Sequence, residues 1–190
     1  MPDLVLASSS PRRALLLSAA GYSITRRIPQ IDETALPDEA PEQTVIRLAR
    51  EKALSPGEED ALVLGADTAV VLDGEAFGKP IDRNHAIEML QRLAGRTHAV
   101  VTGWALAIGG AIVEDGFEVT LVTMRNISDE EAAAYVDTGE PLGKAGAYAI
   151  QGEGERFVTG MVGTRSNVIG LPLTAVVPAL ERAGLDRKTV

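Results

Sequence analysis

Two extended apolar segments, Thr97 to Ile108 and Ala111 to Met124, flank the dipeptide Gly109-Gly110. A glycine pair suits a two-residue hairpin turn, because both central residues of that turn take positive φ. Two long strands joined this tightly call for a sheet large enough to hold them. Ahead of them, strand-like and helix-like segments alternate. Leu4 to Ala7 reads as a short buried strand. Ser10 is placed to cap a helix and Pro11 to open it, since proline loses no useful N–H at the first helical position. That helix runs through Leu15, Leu16 and Ala19 to Gly21, a natural C′ residue. Tyr22 to Ile28 is a second strand.

The segment from Pro29 to Pro41 is acidic and rich in turn residues. Glu42 to Leu54 then shows an apolar stripe of Val45, Leu48, Ala49 and Ala53, and Lys52 shares that stripe at helical spacing. After a polar loop from Ser55 to Asp60, Ala61 to Leu72 is an apolar run interrupted by Gly65, Asp67 and Thr68. It reads as a central strand turned by Asp73-Gly74. Asp82 caps a third helix, and Ser128 with Glu131 forms the capping box of a fourth, ending near Gly139. Gly139 to Gly163 holds seven of the 19 glycines, so its backbone either approaches something closely or turns tightly several times. A last helix from Pro172 to Ala183 carries Pro178, which is expected to kink or split it. Together these segments describe one domain over residues 1–190, of mixed α/β class, with a central sheet flanked by helices.

Composition narrows the chemistry. There is no cysteine, which removes thiol nucleophiles, disulfides and iron–sulfur sites. The two histidines, His85 and His98, cannot make a three-histidine zinc site. Neither is assigned a functional role, and Trp104 reads as core. The formal charge of −9 argues against a general nucleic-acid surface but leaves room for a local basic pocket. No basic stretch follows Met1-Pro2-Asp3, and Val168 to Leu180 is too short to span a bilayer. No membrane association is expected, and a cytoplasmic location is the default.

Several residues can carry chemistry. At Ser8 to Arg13 a strand end, a serine cluster, a helix start and two guanidiniums coincide, which suits a phosphate group. Ser8, Ser10, Arg12 and Arg13 are its members; a capped helix with two solvated arginines is the plainer alternative. Asp67 inside an apolar strand needs a cation or strong donors if it is buried, or it simply begins a turn with Thr68. Lys52 on an apolar face either snorkels or meets a partner. Lys79, between Gly78 and Pro80, can reach a phosphate from a rigid loop. Gln151 both donates and accepts, as the edge of a base requires, or serves its own turn. This inventory of arginines, lysines and carboxylates fits a phosphate ester or anhydride with a hard divalent ion.

The order Leu6-Ala7-Ser8-Ser9-Ser10-Pro11-Arg12-Arg13, Arg50-Glu51-Lys52-Ala53, Gly65-Ala66-Asp67-Thr68, Gly78-Lys79-Pro80, Ala145-Gly146-Ala147-Tyr148-Ala149-Ile150-Gln151-Gly152 and Ser166-Asn167-Val168-Ile169-Gly170-Leu171-Pro172 resembles the Maf family over nearly the whole chain. The resemblance implies two lobes with a cleft between them, a homodimer, and hydrolysis of a nucleoside triphosphate to the monophosphate and pyrophosphate. It implies that Asp67 is the proton acceptor, Glu33 a catalytic carboxylate, and Lys52 and Lys79 catalytic lysines. By the same resemblance Arg12 and Arg13 contact phosphate, Arg12, Thr68 and Gln151 bear on base choice, and Glu33 with Asp67 holds Mg²⁺ or Mn²⁺. Arg12, Thr68 and Gln151 resemble the dTTP/UTP subgroup rather than the 7-methyl-GTP subgroup. Gly163-Thr164-Arg165 departs from the family pattern by an added cation. The resemblance thus implies dTTP, UTP and modified pyrimidine triphosphates as substrates; the alternatives are a 7-methyl-GTP pyrophosphatase of the same family and a nucleotide-binding regulator of cell division that does not turn over its ligand, and the carboxylate and lysine set favours the enzyme.

Overall fold

The computed structural model describes residues 4–57 and 61–187. Met1 to Asp3 and the last part of the expected polar loop after Ser55 lie outside the described residues. Seven strands form one sheet in the order β2-β1-β3-β5-β6-β7, with the short β4 paired to β3. They are β1 (Leu4–Ala7), β2 (Ile24–Arg27), β3 (Leu62–Leu72), β4 (Glu75–Phe77), β5 (Thr97–Ile108), β6 (Ala111–Met124) and β7 (Val158–Val162). The helices are α1 (Pro11–Ala19), α2 (Pro41–Leu54), α3 (Arg83–Leu93), α4 (Asp129–Asp137), α5 (Arg165–Ile169) and α6 (Leu173–Arg182). β1 pairs in parallel with both β2 and β3, while β3–β4 and β6–β7 are antiparallel. The sheet is therefore mixed.

The chain forms two compact units, whose boundary along β3 falls between Asp67 and Thr68. In the first unit, alternation along β1 and β3 sends successive side chains to opposite faces. Leu4, Leu6, Leu62 and Leu64 join Leu17 of α1 and Val176 and Leu180 of α6 in one core. Val5, Ala7, Ala61 and Val63 join Ala49 and Ala53 of α2 in another. This second core is built of small residues, so α2 lies close to the sheet. Two glycines bring it closer still: a Cβ on Gly65 would stand 2.1 Å from the Ala49 carbonyl oxygen, and one on Gly103 would stand 2.4 Å from the Val45 carbonyl.

The second unit packs α3 and α4 around Leu72, Phe77, Leu90, Val100, Val122, Tyr135 and Phe157. Asp82 caps α3 by accepting from the His85 amide at 2.8 Å, and the Ser128–Glu131 capping box starts α4, as the sequence leads one to expect. Residues 139–163 contain two short 3-10 turns, in line with the tight turns the glycines allow, and β7, which together with β4 and α5 has no counterpart in the sequence reading.

Two local expectations are corrected. Ser10 occupies the N-cap position of α1, but its side chain makes no capping bond; its own amide instead donates to the Ser8 hydroxyl at 3.1 Å. And α6 continues through Pro178 without splitting. Proline near the middle of a helix removes one backbone bond, and here Val176, Val177, Ala179 and Leu180 are buried against the first unit's core, which holds the helix together.

Candidate functional site

In the first unit, Lys52 projects from the buried face of α2 and is only 4% exposed. Its ammonium donates to Asp67 Oδ1 at 2.6 Å and pairs with Glu33 Oε1 at 2.7 Å. Asp67 ends the first unit's share of β3, two residues beyond Gly65 and on the same face. The missing Cβ of Gly65 lets the α2 backbone settle onto β3, and this sets how far Lys52 must reach. A buried ammonium is tolerated only when paired, and here it has two carboxylates. The carboxylates remain accessible from outside, with the side chain of Asp67 18% and that of Glu33 47% exposed.

Glu33 comes from the long loop before α2, and that loop is fastened rather than loose. Arg47 of α2 grips Glu39 through two bonds of 2.7 and 2.8 Å and donates to the Thr34 carbonyl at 3.1 Å. Asp32 accepts from the Thr34 amide and hydroxyl at 2.9 and 2.6 Å. The Arg47 guanidinium holds the Glu39 carboxyl down at about 2, with the Leu36 amide and Thr44 hydroxyl contributing against a smaller desolvation effect. Glu33 is thus flanked by two anchored residues. Nothing in the loop's composition signals this, although an acidic residue eight positions before an arginine on a helix is a feature that could have been weighed.

The cations converge from the end of β1. Arg13 is buried; its Nε donates to the Gly170 carbonyl at 2.7 Å and its Nη1 to the Ser8 hydroxyl at 3.1 Å. Burial pulls the Arg13 guanidinium below its ordinary value, Asp67 pulls it back up, Arg12 pushes it down and Glu33 raises it. These four groups therefore share one electrostatic neighbourhood. Burial also lowers Arg12, which is half-buried. Arginine keeps its charge under such shifts because its ordinary value is far above neutrality. Ser8 is almost wholly buried, and its oxygen serves Arg13 and the Ser10 amide; its own amide donates to Leu6. The Ser8 and Ser10 amides are thus already used within the fold. Arg26, which sequence reasoning left aside, donates to the Ser9 carbonyl at 2.8 Å. Parallel pairing of Leu6 with Arg26 puts it there.

The second unit holds the other three candidates, Thr68, Lys79 and Gln151. Thr68 is half-buried on β3; Lys79 and Gln151 are exposed. A Cβ on Gly146 would meet Val70 Cγ2 at 2.9 Å, so this glycine lets the loop around residues 144–152 lie on the face of β3 that also bears Thr68. The Gly146 amide donates to the Gly78 carbonyl at 3.2 Å, tying the loop to the one that carries Lys79. Gly146, Gly152, Gly154 and Gly163 thus serve close approach within the unit, whereas Gly139 and Gly143, at positive φ with open space around them, serve turns. Asn167, from the Ser166–Pro172 motif, is structural: buried, it donates to the Val100 carbonyl and the Thr120 hydroxyl at 3.0 and 2.9 Å.

A mixed α/β fold with guanidiniums, a paired lysine and two accessible carboxylates defines a protein suited to polyanionic phosphate chemistry. The family model described as Maf-like protein matches residues 3–183, and the chain belongs to the Maf family. It is 49% identical over 176 residues to a protein named dTTP/UTP pyrophosphatase from Escherichia coli O157:H7, covering 91% of this chain and 89% of that one. It is 52% identical over 184 residues to a protein of the same name from Myxococcus xanthus (strain DK1622), covering 96% and 93%. Among solved structures, a nucleoside-triphosphatase / dITP/XTP pyrophosphatase from Mycobacterium abscessus is similar at 16% identity and a TM-score of 0.46, over 95% of this chain and 97% of that one.

Proposed function

We propose that this protein hydrolyses dTTP and UTP to the nucleoside monophosphate and pyrophosphate. The observation that carries the chemistry is Lys52 bridging Asp67 and Glu33 beside Arg13. The pyrimidine substrates are carried over from the names of the relatives at 49 and 52% identity. In this reading Arg12 and Arg13 bind the triphosphate, with Ser8 orienting Arg13 and Ser10 shaping the turn that presents both. Lys52 orients the Asp67 carboxylate through its bond to Oδ1. Asp67 takes a proton from the attacking water as the water oxygen bonds to the α-phosphorus. The bond from the α-phosphorus to the bridging oxygen breaks, and pyrophosphate leaves with its charge met by Arg12, Arg13 and Lys79. Thr68 and Gln151 face the base, Gln151 offering both a donor and an acceptor.

The donor set fits a divalent cation. Glu33 and Asp67 supply hard carboxylate oxygens on one ammonium, and Mg²⁺ is commonly held by one or two carboxylates plus substrate phosphates rather than by a full protein cage. Among the described residues there is no group of three or more His, Asp or Glu side chains placed to hold a metal ion. Mg²⁺ or Mn²⁺ bound there would offset phosphate charge and acidify the attacking water. Removal of divalent ions by a chelator is expected to abolish turnover, and Mg²⁺ to restore it. The reading includes a homodimer in the cytoplasm. Light scattering at micromolar concentration should give twice the 20.0 kDa chain mass.

The test is pyrophosphate release from a panel of dTTP, UTP, CTP, ATP, GTP and 7-methyl-GTP with Mg²⁺. Preferential release from dTTP and UTP is expected. Release of orthophosphate, preference for 7-methyl-GTP, or binding without turnover contradicts the reading.

A further inference from the structure

Gln151 stands exposed on a loop whose backbone is pinned at almost every neighbouring residue. Ile150 beneath it is buried, and its carbonyl accepts from Arg165 Nη2 at 2.7 Å. The Ala149 amide donates to the Tyr135 hydroxyl at 3.1 Å. On the other side, the Glu153 and Gly154 amides donate to the two oxygens of Glu140 at 3.0 and 3.1 Å. Tyr135 donates to the same carboxylate at 2.7 Å, so the two anchors are one network. Arg165 is held in turn by Glu155 at 2.6 Å.

Two glycines of this loop are explained by the network. A Cβ on Gly152 would stand 2.2 Å from Glu140 Oε2, and one on Gly154 would stand 2.6 Å from the Tyr135 hydroxyl. The backbone has been brought down onto these two side chains. Burial alone would raise the Glu140 carboxyl, but Tyr135, the two amides and Lys144 outweigh it and hold the group below its ordinary value.

We propose that Glu140 and Arg165 are positioning residues for base selectivity: they fix the backbone on both sides of Gln151 so that its amide meets a pyrimidine edge in one orientation. The amide presents its donor and acceptor at different positions. A thymine or uracil edge is distinguished from a cytosine edge only if the amide is held in register, because the two differ by exchange of acceptor and donor at the 4-position. A loop that wanders lets the amide meet the edge from many positions, and the distinction weakens. Arg165, which no role in the reaction claims, has its task at the Ile150 carbonyl. The proposal rests on the reading of Gln151 as the group that faces the base.

The test compares kcat/KM for dTTP with that for dCTP in the wild type, Gln151→Ala, Arg165→Gln, Arg165→Lys, Glu140→Gln and the Gln151→Ala/Arg165→Gln double variant. Gln151→Ala should collapse the ratio. Arg165→Gln and Glu140→Gln should each narrow it about tenfold, which is about 1.4 kcal/mol, while kcat on saturating dTTP stays within about threefold. Arg165→Lys should recover part of the ratio, and the double variant should be no less selective than Gln151→Ala alone. A general loss of structure would lower both nucleotides together and leave the ratio unmoved; Arg165 is largely exposed, so its variants keep the test open even where Glu140→Gln fails to fold. If Gln151→Ala collapses the ratio and both Arg165 variants leave it within twofold of wild type, the proposal is wrong and the reading of Gln151 stands. If Gln151→Ala leaves the ratio unchanged, that reading fails and takes the proposal with it.

Discussion

Lys52 and Asp67 were legible as single residues because each is a charge where the apolar pattern expects none. Burying such a charge alone is costly, so each implied a partner, and each turned out to be the other's. Glu33 carried no such signal. It lies in a loop among other acidic residues, and only the family resemblance singled it out. Arg47, Glu39 and Glu140 were invisible for a related reason: their work is to hold backbone carbonyls and amides, and no side-chain pattern records which backbone groups need holding. His98 had a correct place but no role. It is buried in β5 with its Nε2 2.8 Å from the Tyr148 hydroxyl, and desolvation brings it from 6.5 to about 4. Its folded value lies below its unfolded one, so its contribution to stability is complete above about pH 6.5 and is lost as pH falls through about 4. Urea midpoints measured from pH 7 to pH 4 should fall for the wild type and fall less for His98→Gln. The difference corresponds to roughly 3 kcal/mol at most. Parallel curves would show that His98 does not titrate with unfolding.

At the scale of elements, the long and strongly patterned segments were readable to within a residue or two. β5 and β6 have the bounds expected around Gly109-Gly110, and α2 starts one residue before the expected Glu42. β4, β7 and α5, of three to five residues, were not, since they exist through pairing and packing rather than through their own periodicity. The meaning of Gly65 was also hidden. Along the strand it reads as an interruption, and only the helix lying on it shows why it is needed. Gly65→Ala is expected to force α2 off β3, lowering stability by about 2 kcal/mol or more and lowering kcat by separating Lys52 from Asp67. Thermal unfolding and pyrophosphate release check both, and an unchanged kcat would detach the helix contact from the chemistry. Arg47→Gln should release the loop at Thr34 and Glu39. The Mg²⁺ concentration giving half-maximal rate should then rise about tenfold, with kcat largely recovered at saturating Mg²⁺. An unaltered Mg²⁺ requirement would mean that Glu33 needs no such anchor. The clamp itself should be complete above about pH 4.5 and weaken toward pH 2, because Glu39 titrates below its ordinary range.

For the whole molecule, the net charge of −9 opposes a polyanionic substrate, and the proposed reading assigns binding to local cations such as Arg12 and Arg13. Exposed attractions are screened over about 8 Å at physiological salt. KM for dTTP is therefore expected to rise several-fold between about 50 and 200 mM KCl, with kcat little changed. A KM independent of salt would place substrate recognition in apolar contacts instead. The central claim concerns one carboxylate. In steady-state measurements on dTTP with saturating Mg²⁺, Asp67→Asn should lower kcat by about 10²–10⁴-fold, while unfolding stays cooperative at a lower midpoint, since Lys52 keeps Glu33 as its charged partner. Turnover within a few fold of wild type would show that the proton of the attacking water goes elsewhere.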